Sequence, residues 1–272
     1  MELFRKMAIN KFKKGVKKMD VEDYIPLSLK QLMLNFKNET GKKINFIYGG
    51  DGKLLEEITS DYHPFYNGIF YPIRNYGNCE EHTLDKIFDK LTENNFKFLK
   101  EKINNAREIP VLEINSKPIN TCAVSEIVIK SFNPTKCLRL NVSVNSKPVY
   151  KNAICDGIIA STDLIGSHGY FKSITRTTFK NGIGFAFINP TYGLTNCILD
   201  KNDIISIEII RPTEITISTD LKFYKNVFGE NYIITIRYNP HIKARIAGYD
   251  DFMCYKCRMN RNSTERINDY YI

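Results

Sequence analysis

The stretch Lys43-Ile44-Asn45-Phe46-Ile47-Tyr48-Gly49-Gly50-Asp51-Gly52 joins a short β-favouring run to three glycines placed around one aspartate. A strand that ends in such a turn presents backbone N–H groups at its carboxyl end, where open α/β sheets bind their ligands. Glycine lets a phosphate approach the backbone, because a Cβ would block it. Asp51 in this turn could act as a general base toward a hydroxyl or beside a magnesium–phosphate complex. A Gly-Asp-Gly turn that closes a hairpin is the alternative.

The turn matches neither of the two common glycine-rich nucleotide motifs. The P-loop pattern requires a glycine where Ile47 stands, and a Ser or Thr where Leu54 follows Lys53. The dinucleotide-binding fingerprint requires a third glycine at a spacing that this stretch does not have. Neither motif therefore accounts for the turn.

The first part of the chain alternates helical and strand patterns. Apolar spacing predicts helices over 27–38 and 84–99, and a short strand within 60–79. A further helix is predicted to begin directly after the glycine turn, with its positive N-terminal end facing whatever the turn binds. Alternation of this kind is typical of a layered parallel sheet.

The pattern changes near Arg107 to short β runs that continue to about Tyr238. The run 138–144 alternates strictly between apolar and polar residues, and a turn sequence follows it. We therefore predict an all-β sandwich in this region. The chain as a whole is expected to comprise an N-terminal α/β domain (1–106), a C-terminal β-sandwich domain (107–240) and a tail (241–272) that packs back on the N-terminal domain.

Composition restricts the class of protein. The 272 residues are 43% hydrophobic, which is enough for a sizeable core. No run approaches the roughly 18 apolar residues of a membrane span, and no signal peptide is recognisable. The seven cysteines lack the regular spacing of a disulfide framework, which suits a reducing compartment. We expect a soluble, cytoplasmic protein that does not contact membranes.

The net charge of +9 favours anionic partners, either phosphorylated small molecules or nucleic acid. Seven of the basic residues lie among the first eighteen positions, and the rest of the chain is close to balanced. A basic helix there could touch RNA or lipid, but such a run is more often a solvated face. Nucleic acid is therefore not the expected partner.

The segment Asp156–Tyr170 interrupts the β alternation. A strand ends at Ser161 and Thr162, and a turn of small residues then leads into a helix. Hydroxyls, free N–H groups and an aromatic ring in one place suit recognition of a nucleotide or a sugar. An ordinary helix start capped by Ser or Thr is the alternative.

Two cysteine patterns could each supply half of a zinc site. They are Cys79-x-x-His82 and Cys254-x-x-Cys257, and a tetrahedral site would need both halves to meet in the fold. Buried or incidental thiols explain the same residues. No metal ligand is therefore assigned from the sequence.

Taken together, the glycine turn and the later segment resemble the NAD kinase family, the kinases that phosphorylate the 2′-hydroxyl of the adenosine ribose of NAD. That family has Gly-Gly-Asp-Gly-Thr after an early strand, then an Asn-Glu pair, then Asp-Gly…Ser-Thr-x-x-Gly-Ser-Thr-Ala-Tyr. Gly49–Gly52 match the first motif, 124–129 resemble the second, and Asp156–Tyr170 resemble the third. The resemblance spans roughly residues 44–212.

The resemblance implies a kinase that transfers a phosphoryl group from ATP, or polyphosphate, to NAD, with Mg²⁺ at the phosphates. Asp51 would be the catalytic base or orienting group. Gly49, Gly50, Gly52 and Lys53 would bind the donor phosphates. The implied substrate-binding residues are Ser125, Glu126, Asp156, Thr162, Ser167, His168 and Tyr170. NAD and ATP would be the ligands, and the chain would be a homo-oligomer.

The chain also departs from the family pattern. Lys53 replaces the Thr after the glycines, and Ser125 replaces the Asn of the Asn-Glu pair. One extra residue precedes Gly166, and His168 and Gly169 stand where Thr and Ala are usual. A related kinase for another nucleoside or sugar, or an inactive nucleotide-binding protein, therefore stays open.

Overall fold

The computed structural model of the chain describes residues 31, 34–35, 37–38, 43–48, 51–60, 68–73, 95–116, 119–191, 193–211, 213–220, 222–228 and 232–254. Of the helix predicted over 27–38, only five positions are described, and all five are helical. The helix predicted over 84–99 lies outside the described residues up to position 94. Of the four residues that could form a zinc site, Cys79, His82, Cys254 and Cys257, only Cys254 is among the described residues.

The N-terminal part is a small α/β unit. Strand β1 (Lys43–Tyr48) runs parallel to β2 (Gly68–Ile73), with helix α1 (Asp51–Ser60) between them and helix α2 (Asn95–Asn104) after them. The predicted helix is present, but it begins at Asp51, inside the glycine turn, rather than directly after it. Its apolar residues bury against β1 and β2, because they recur at helical spacing on one face.

The rest of the described chain consists mainly of strands. They are β3 (Arg107–Ser116), β4 (Ile119–Ala123), β5 (Glu126–Ser131), β6 (Leu138–Val144), β7 (Lys147–Cys155), β8 (Gly157–Ser161), β9 (Ile183–Ile188), β10 (Cys197–Leu199), β11 (Ile205–Ile209), β12 (Thr213–Thr219), β13 (Lys222–Phe228) and β14 (Tyr232–Ile246). Between β8 and β9 lie a 3₁₀ turn (Gly166–His168) and the short helix α3 (Tyr170–Thr175), and α4 (Tyr249–Phe252) follows β14.

The strands form two sheets that enclose one core. The first sheet has the order β1-β2-β14-β11-β6-β7, with β3 paired to both β14 and β4. The second has the order β10-β9-β8-β5-β12-β13. Burial alternates along β6 and β11, so one side of each strand faces the opposite sheet. Each fully buried isoleucine of this core contributes about 2–3 kcal/mol through removal from water.

Strand β14 connects the two parts of the molecule. Its first half pairs antiparallel with β11, and most of its length pairs with β3. At its end Arg245 and Ile246 pair in parallel with Ile69 and Phe70 of β2. The N-terminal α/β unit therefore continues the first sheet of the sandwich. The domain limits at 106 and 240 stay a prediction.

The predicted fold class, an α/β part followed by an all-β sandwich, is confirmed. The β6–β7 hairpin shows why the local pattern was informative. Asn145 and Ser146 both have positive φ (51° and 64°), as a two-residue turn between twisted strands requires.

Among the described residues, no helix is long and apolar enough to cross a membrane. The described cysteines form no disulfide.

Candidate active site

A cavity of about 160 Å³ lies where helix α1 faces the β-sandwich. It is bordered by α1, by the turn between β4 and β5, by the 3₁₀ turn with Gly169, and by α4. The lining residues are Leu54, Leu55, Ser125, Glu126, Ile165, His168, Gly169, Tyr249, Phe252 and Met253. An apolar wall with a few convergent polar groups is the usual composition of a small-molecule site.

The β4–β5 turn is held by a single carboxylate. Asp220 accepts hydrogen bonds from the backbone N–H groups of Val124 (2.9 Å), Ser125 (2.9 Å) and Glu126 (3.0 Å). These three donors would otherwise lack a strand partner at this turn, and an unpaired buried N–H is costly. The contact therefore fixes the backbone from which Ser125 and Glu126 face the cavity.

Glu126 supplies the carboxylate of the cavity. It accepts a 2.7 Å hydrogen bond from the backbone N–H of Phe171 at the start of α3. The pKa of Glu126 is raised to about 7, chiefly by burial. Backbone N–H groups of Phe171 and Tyr170 oppose this shift, and the negative charge of Asp220 adds a smaller increase. The side chain is thus poised between its neutral and ionised forms near neutral pH.

The third motif folds into a tight loop around Thr162. The Thr162 N–H donates to the Ser125 carbonyl (2.9 Å), and its hydroxyl donates to the Val124 carbonyl (2.8 Å). The Gly166 N–H donates in turn to the Thr162 hydroxyl (3.2 Å). A Cβ at Gly166 would lie 2.1 Å from the Ser125 carbonyl oxygen. The loop and the β4–β5 turn therefore pack backbone against backbone, which only glycine permits at this position.

Ser167 and Thr162 use their hydroxyls inside the protein. Both residues are fully buried, and the Ser167 hydroxyl donates to the Asp163 carbonyl (2.6 Å). Asp163 is itself buried and pairs with Lys201 at 3.0 Å. Neither Thr162 nor Ser167 is among the residues that line the cavity. In this structure they shape the loop that carries His168 and Gly169.

His168 and Gly169 face the cavity, whereas Tyr170 turns aside. A Cβ at Gly169 would lie 3.0 Å from a carboxylate oxygen of Glu126. The glycine therefore avoids a close contact with this carboxylate. The Tyr170 hydroxyl accepts a 2.7 Å hydrogen bond from Lys130. Tyr170 thus contacts the side of β5 rather than the cavity.

Asp156 lies at the opposite end of β8 from the loop. Ser161 pairs with Glu126 and Gly157 pairs with Lys130, so Asp156 is about 16 Å along the strand from the Ser161 end. Its carboxylate accepts a 2.9 Å hydrogen bond from Asn189. Within one copy of the chain, the structure does not bring Asp156 to Glu126.

The glycine turn is described only in part. Gly49 and Gly50 lie outside the described residues, and Asp51 is described as the first residue of α1 but without its side chain. A Cβ at Gly52 would meet no atom within 4 Å. The Lys53 ammonium pairs with Glu57 (2.6 Å) and Glu56 (3.1 Å) of its own helix. The predicted roles of these residues stay predictions.

Comparison with known proteins gives a consistent result. No protein-family model matches the chain. An NAD kinase of Sulfurisphaera tokodaii is 30% identical over 161 residues, which are 58% of this chain and 60% of that relative. The structure of yeast NADH kinase in complex with NADH gives a TM-score of 0.63 at 17% identity, covering 83% of this chain and 68% of that one.

A second solved structure agrees with the first. An NAD kinase from Archaeoglobus fulgidus in complex with ATP gives a TM-score of 0.59 at 16% identity, covering 86% of this chain and 95% of that one. The resemblance to the NAD kinase family is confirmed. The chain spans about 60% of the length of its curated NAD kinase relative. The two structures show that the NAD kinase fold is shared.

Asp220 was not predicted as part of the NAD kinase-like site. Its only sequence signal is an aspartate between two alternating runs, which predicts a turn and nothing more. Its contacts are with Val124, Ser125 and Glu126, more than ninety positions earlier in the chain. Such a pair depends on strand pairing, which local patterns do not specify.

Helix α4 was also not predicted. Four residues are too few to show a helical period, and they lie in a stretch without an alternating pattern. The Tyr249 hydroxyl donates to the Leu164 carbonyl (3.1 Å), which ties α4 to the third NAD kinase motif. Lys102 of α2 pairs with Asp251 at 2.6 Å. These contacts place Phe252 and Met253 against the cavity.

Proposed function

We propose that the chain is an ATP-dependent kinase that phosphorylates the 2′-hydroxyl of NAD to give NADP. The observation that carries the proposal is the cavity in which the first turns of α1, the Glu126 carboxylate and the third motif meet. The similarity to NAD and NADH kinases supports the same activity. The two solved relatives are complexes with NADH and with ATP, and we propose NAD and ATP as the ligands of this chain.

The Glu126 carboxylate would bind ribose hydroxyls. It lines the cavity and retains acceptor capacity beyond its bond to the Phe171 N–H. A carboxylate that accepts hydrogen bonds from two neighbouring ribose hydroxyls fixes the sugar in a single orientation. Phosphoryl transfer depends mainly on alignment and on charge neutralisation, so this orientation is a direct contribution to the rate.

Asp51 would orient or deprotonate the attacking 2′-hydroxyl. It stands at the N-terminal end of a ten-residue helix, where partial positive charge also favours phosphate. The open space beside Gly52 leaves room for phosphate oxygens next to the backbone. Carboxylate and phosphate oxygens are the ligands that Mg²⁺ prefers, so Asp51 and the donor phosphates fit this ion. Bound Mg²⁺ would neutralise charge on the transferred group.

A kinase for another nucleoside or sugar is the second candidate. The observation in its favour is the buried Ser125 at the place of the family's Asn, because the shorter side chain presents fewer hydrogen-bonding groups to a base. A matched substrate series of NAD, NADH, adenosine and simple sugars would separate the two candidates. Turnover restricted to a substrate other than NAD would favour the second.

The test is formation of NADP by purified protein with ATP, NAD and Mg²⁺, measured through a coupled dehydrogenase. Asp51→Asn should abolish activity. Asp250→Asn is the matched control, because the Asp250 side chain is 92% exposed and pairs with the Arg107 guanidinium at 3.5 Å. No NADP from the wild-type protein, with NAD still stabilising it thermally, would overturn the proposal.

A cytoplasmic location and a homo-oligomeric state are further proposals. The irregular cysteine spacing and the absence of disulfides among the described residues support the first. The second comes from the family resemblance alone. Light scattering on the purified protein would measure the oligomeric state.

A further inference from the structure

Asp220 binds the β4–β5 turn that carries Glu126 and is not among the residues that line the cavity. Its carboxylate accepts three successive backbone N–H groups, those of Val124, Ser125 and Glu126, at 2.9, 2.9 and 3.0 Å. Three consecutive N–H groups converging on one anion form a nest, a geometry that binds negative charge well. In this protein the anion in the nest is the Asp220 carboxylate.

A fourth hydrogen bond runs in the opposite direction. The Asp220 N–H donates to the Glu126 carbonyl at 3.0 Å. The N–H and the carbonyl of Glu126 are therefore both hydrogen-bonded to Asp220. Asp220 has a φ of 49°, in the left-handed region where aspartate is enriched among non-glycine residues. It lies in the turn between β12 and β13, and its carboxylate faces the β4–β5 turn.

The other end of Glu126 is also fixed. Its carboxylate accepts the Phe171 N–H at 2.7 Å, and the same carboxylate lines the cavity. A small change in the backbone of Glu126 would therefore move the carboxylate against both α3 and a bound sugar. We propose that Asp220 is a positioning residue, which holds Glu126 in the orientation that binds the ribose of the nucleotide acceptor. This inference rests on the proposed function.

Asp220 also acts on Glu126 through its charge. The Asp220 charge raises the pKa of Glu126. Burial raises the pKa of Asp220 itself to about 6, against the backbone N–H groups it accepts and the charge of Lys222. His168 lines the cavity together with Glu126. Asp220 is one cause of the raised pKa of Glu126, so removing its charge should lower that pKa. A residue with a merely structural role would leave the pH profile of the reaction where it is.

The experiment compares Asp220→Asn and Asp220→Ala with Glu208→Gln, a matched control on the outer face of the first sheet that contacts Asn141. Ser125 and Glu126 share one carboxylate oxygen of Asp220, and Val124 uses the other. The Asn variant can therefore keep two of the three bonds, but its NH₂ group then faces the Val124 N–H. We expect KM for NAD to rise about tenfold in this variant and more in Asp220→Ala, because charge-assisted bonds are lost.

Three further readouts complete the test. KM for ATP should stay close to that of the wild type, the acidic limb of kcat/KM for NAD should move to lower pH in Asp220→Asn, and Glu208→Gln should change neither. Calorimetric titration with NAD alone should show the same loss of affinity without turnover. If Asp220→Ala fails to fold, Asp220→Asn decides the question.

Two negative outcomes have different meanings. Variants with lower thermal stability but an unchanged KM for NAD and an unchanged pH profile would reduce Asp220 to a structural role and overturn this inference alone. Absence of NADP formation by the wild-type protein would overturn the proposed function instead.

Discussion

At the scale of single residues, Glu126 gives the most direct pH prediction. Its pKa is raised from 4.5 to about 7 in the folded protein, chiefly by burial. If the ionised carboxylate binds the ribose, affinity for NAD should fall as the pH falls below about 7. Glu126→Gln should weaken NAD binding and remove this part of the pH dependence. Titration calorimetry with NAD at several pH values measures both effects.

Glu126 also bears on stability, with a definite sign. An acid whose pKa is higher in the folded than in the unfolded state binds more protons when folded, so its contribution is fully present below pH 4.5 and is lost as the pH rises to about 7. Glu126→Gln should therefore be more stable than the wild type above pH 7, by roughly 1–2 kcal/mol after allowance for partial exposure. Urea unfolding at both ends of this window tests it. A constant difference between the two proteins at every pH would contradict it.

Gly166 should tolerate no side chain. A Cβ would lie 2.1 Å from the Ser125 carbonyl oxygen and 2.4 Å from the Ser161 hydroxyl, and the backbone oxygen has no way to move aside cheaply. We expect Gly166→Ala to lower the free energy of unfolding by about 3 kcal/mol. Urea unfolding measures this change. A loss below about 0.5 kcal/mol would show that the loop relaxes more freely than its packing suggests.

Gly52 should behave in the opposite way. A Cβ there meets no protein atom within 4 Å, and alanine is the better helix former by about 0.5–1 kcal/mol. Gly52→Ala should therefore fold at least as stably as the wild type while losing most phosphoryl transfer, because the methyl group occupies space proposed for phosphate. Parallel unfolding and NADP-formation assays separate the two effects. Full activity would contradict the phosphate role of Gly52.

At the scale of elements, helix α4 closes one side of the cavity. Phe252 is 3% exposed and packs in the cluster that contains Leu54 and Ile58 of α1. Phe252→Ala should cost about 3–4 kcal/mol of stability through the cavity it leaves, and it should raise KM for NAD. Urea unfolding and steady-state kinetics measure the two effects.

Phe223 provides the control for this prediction. It is a phenylalanine of the second sheet whose side chain is 63% exposed on β13. Phe223→Ala should change stability by less than about 0.5 kcal/mol and leave KM for NAD unchanged. An equal effect of both substitutions would show that α4 does not form the cavity wall in solution.

At the scale of the whole molecule, β14 should make unfolding cooperative. This strand pairs with β11 and β3 of the sandwich and with β2 of the α/β unit, so neither part keeps its sheet when the other unfolds. We expect a single unfolding transition, with equal calorimetric and van't Hoff enthalpies. Two separate transitions in calorimetry or in far-ultraviolet circular dichroism would contradict it.

The sequence by itself determined the features that depend on neighbouring residues. Alternation over 138–144 defined a strand, because successive side chains of a strand face opposite sides. The glycines around Asp51 and the small residues after Thr162 marked the two motifs, and their order along the chain carried the resemblance to NAD kinases. These features are local in the chain, so a single sequence displays them.

Only the tertiary structure decided which distant residues meet. Pairing of β14 with β2 joins segments far apart in the chain. The hydrogen bond between Asp220 and the Glu126 N–H likewise depends on how distant strands pair. The raised pKa of Glu126 follows from burial that no local pattern reveals. Asp156 belongs to the same motif as Thr162 but lies at the other end of β8, because an extended strand separates what the sequence places close together. Strand register and burial are properties of the packed sheets, and they set the geometry of the site.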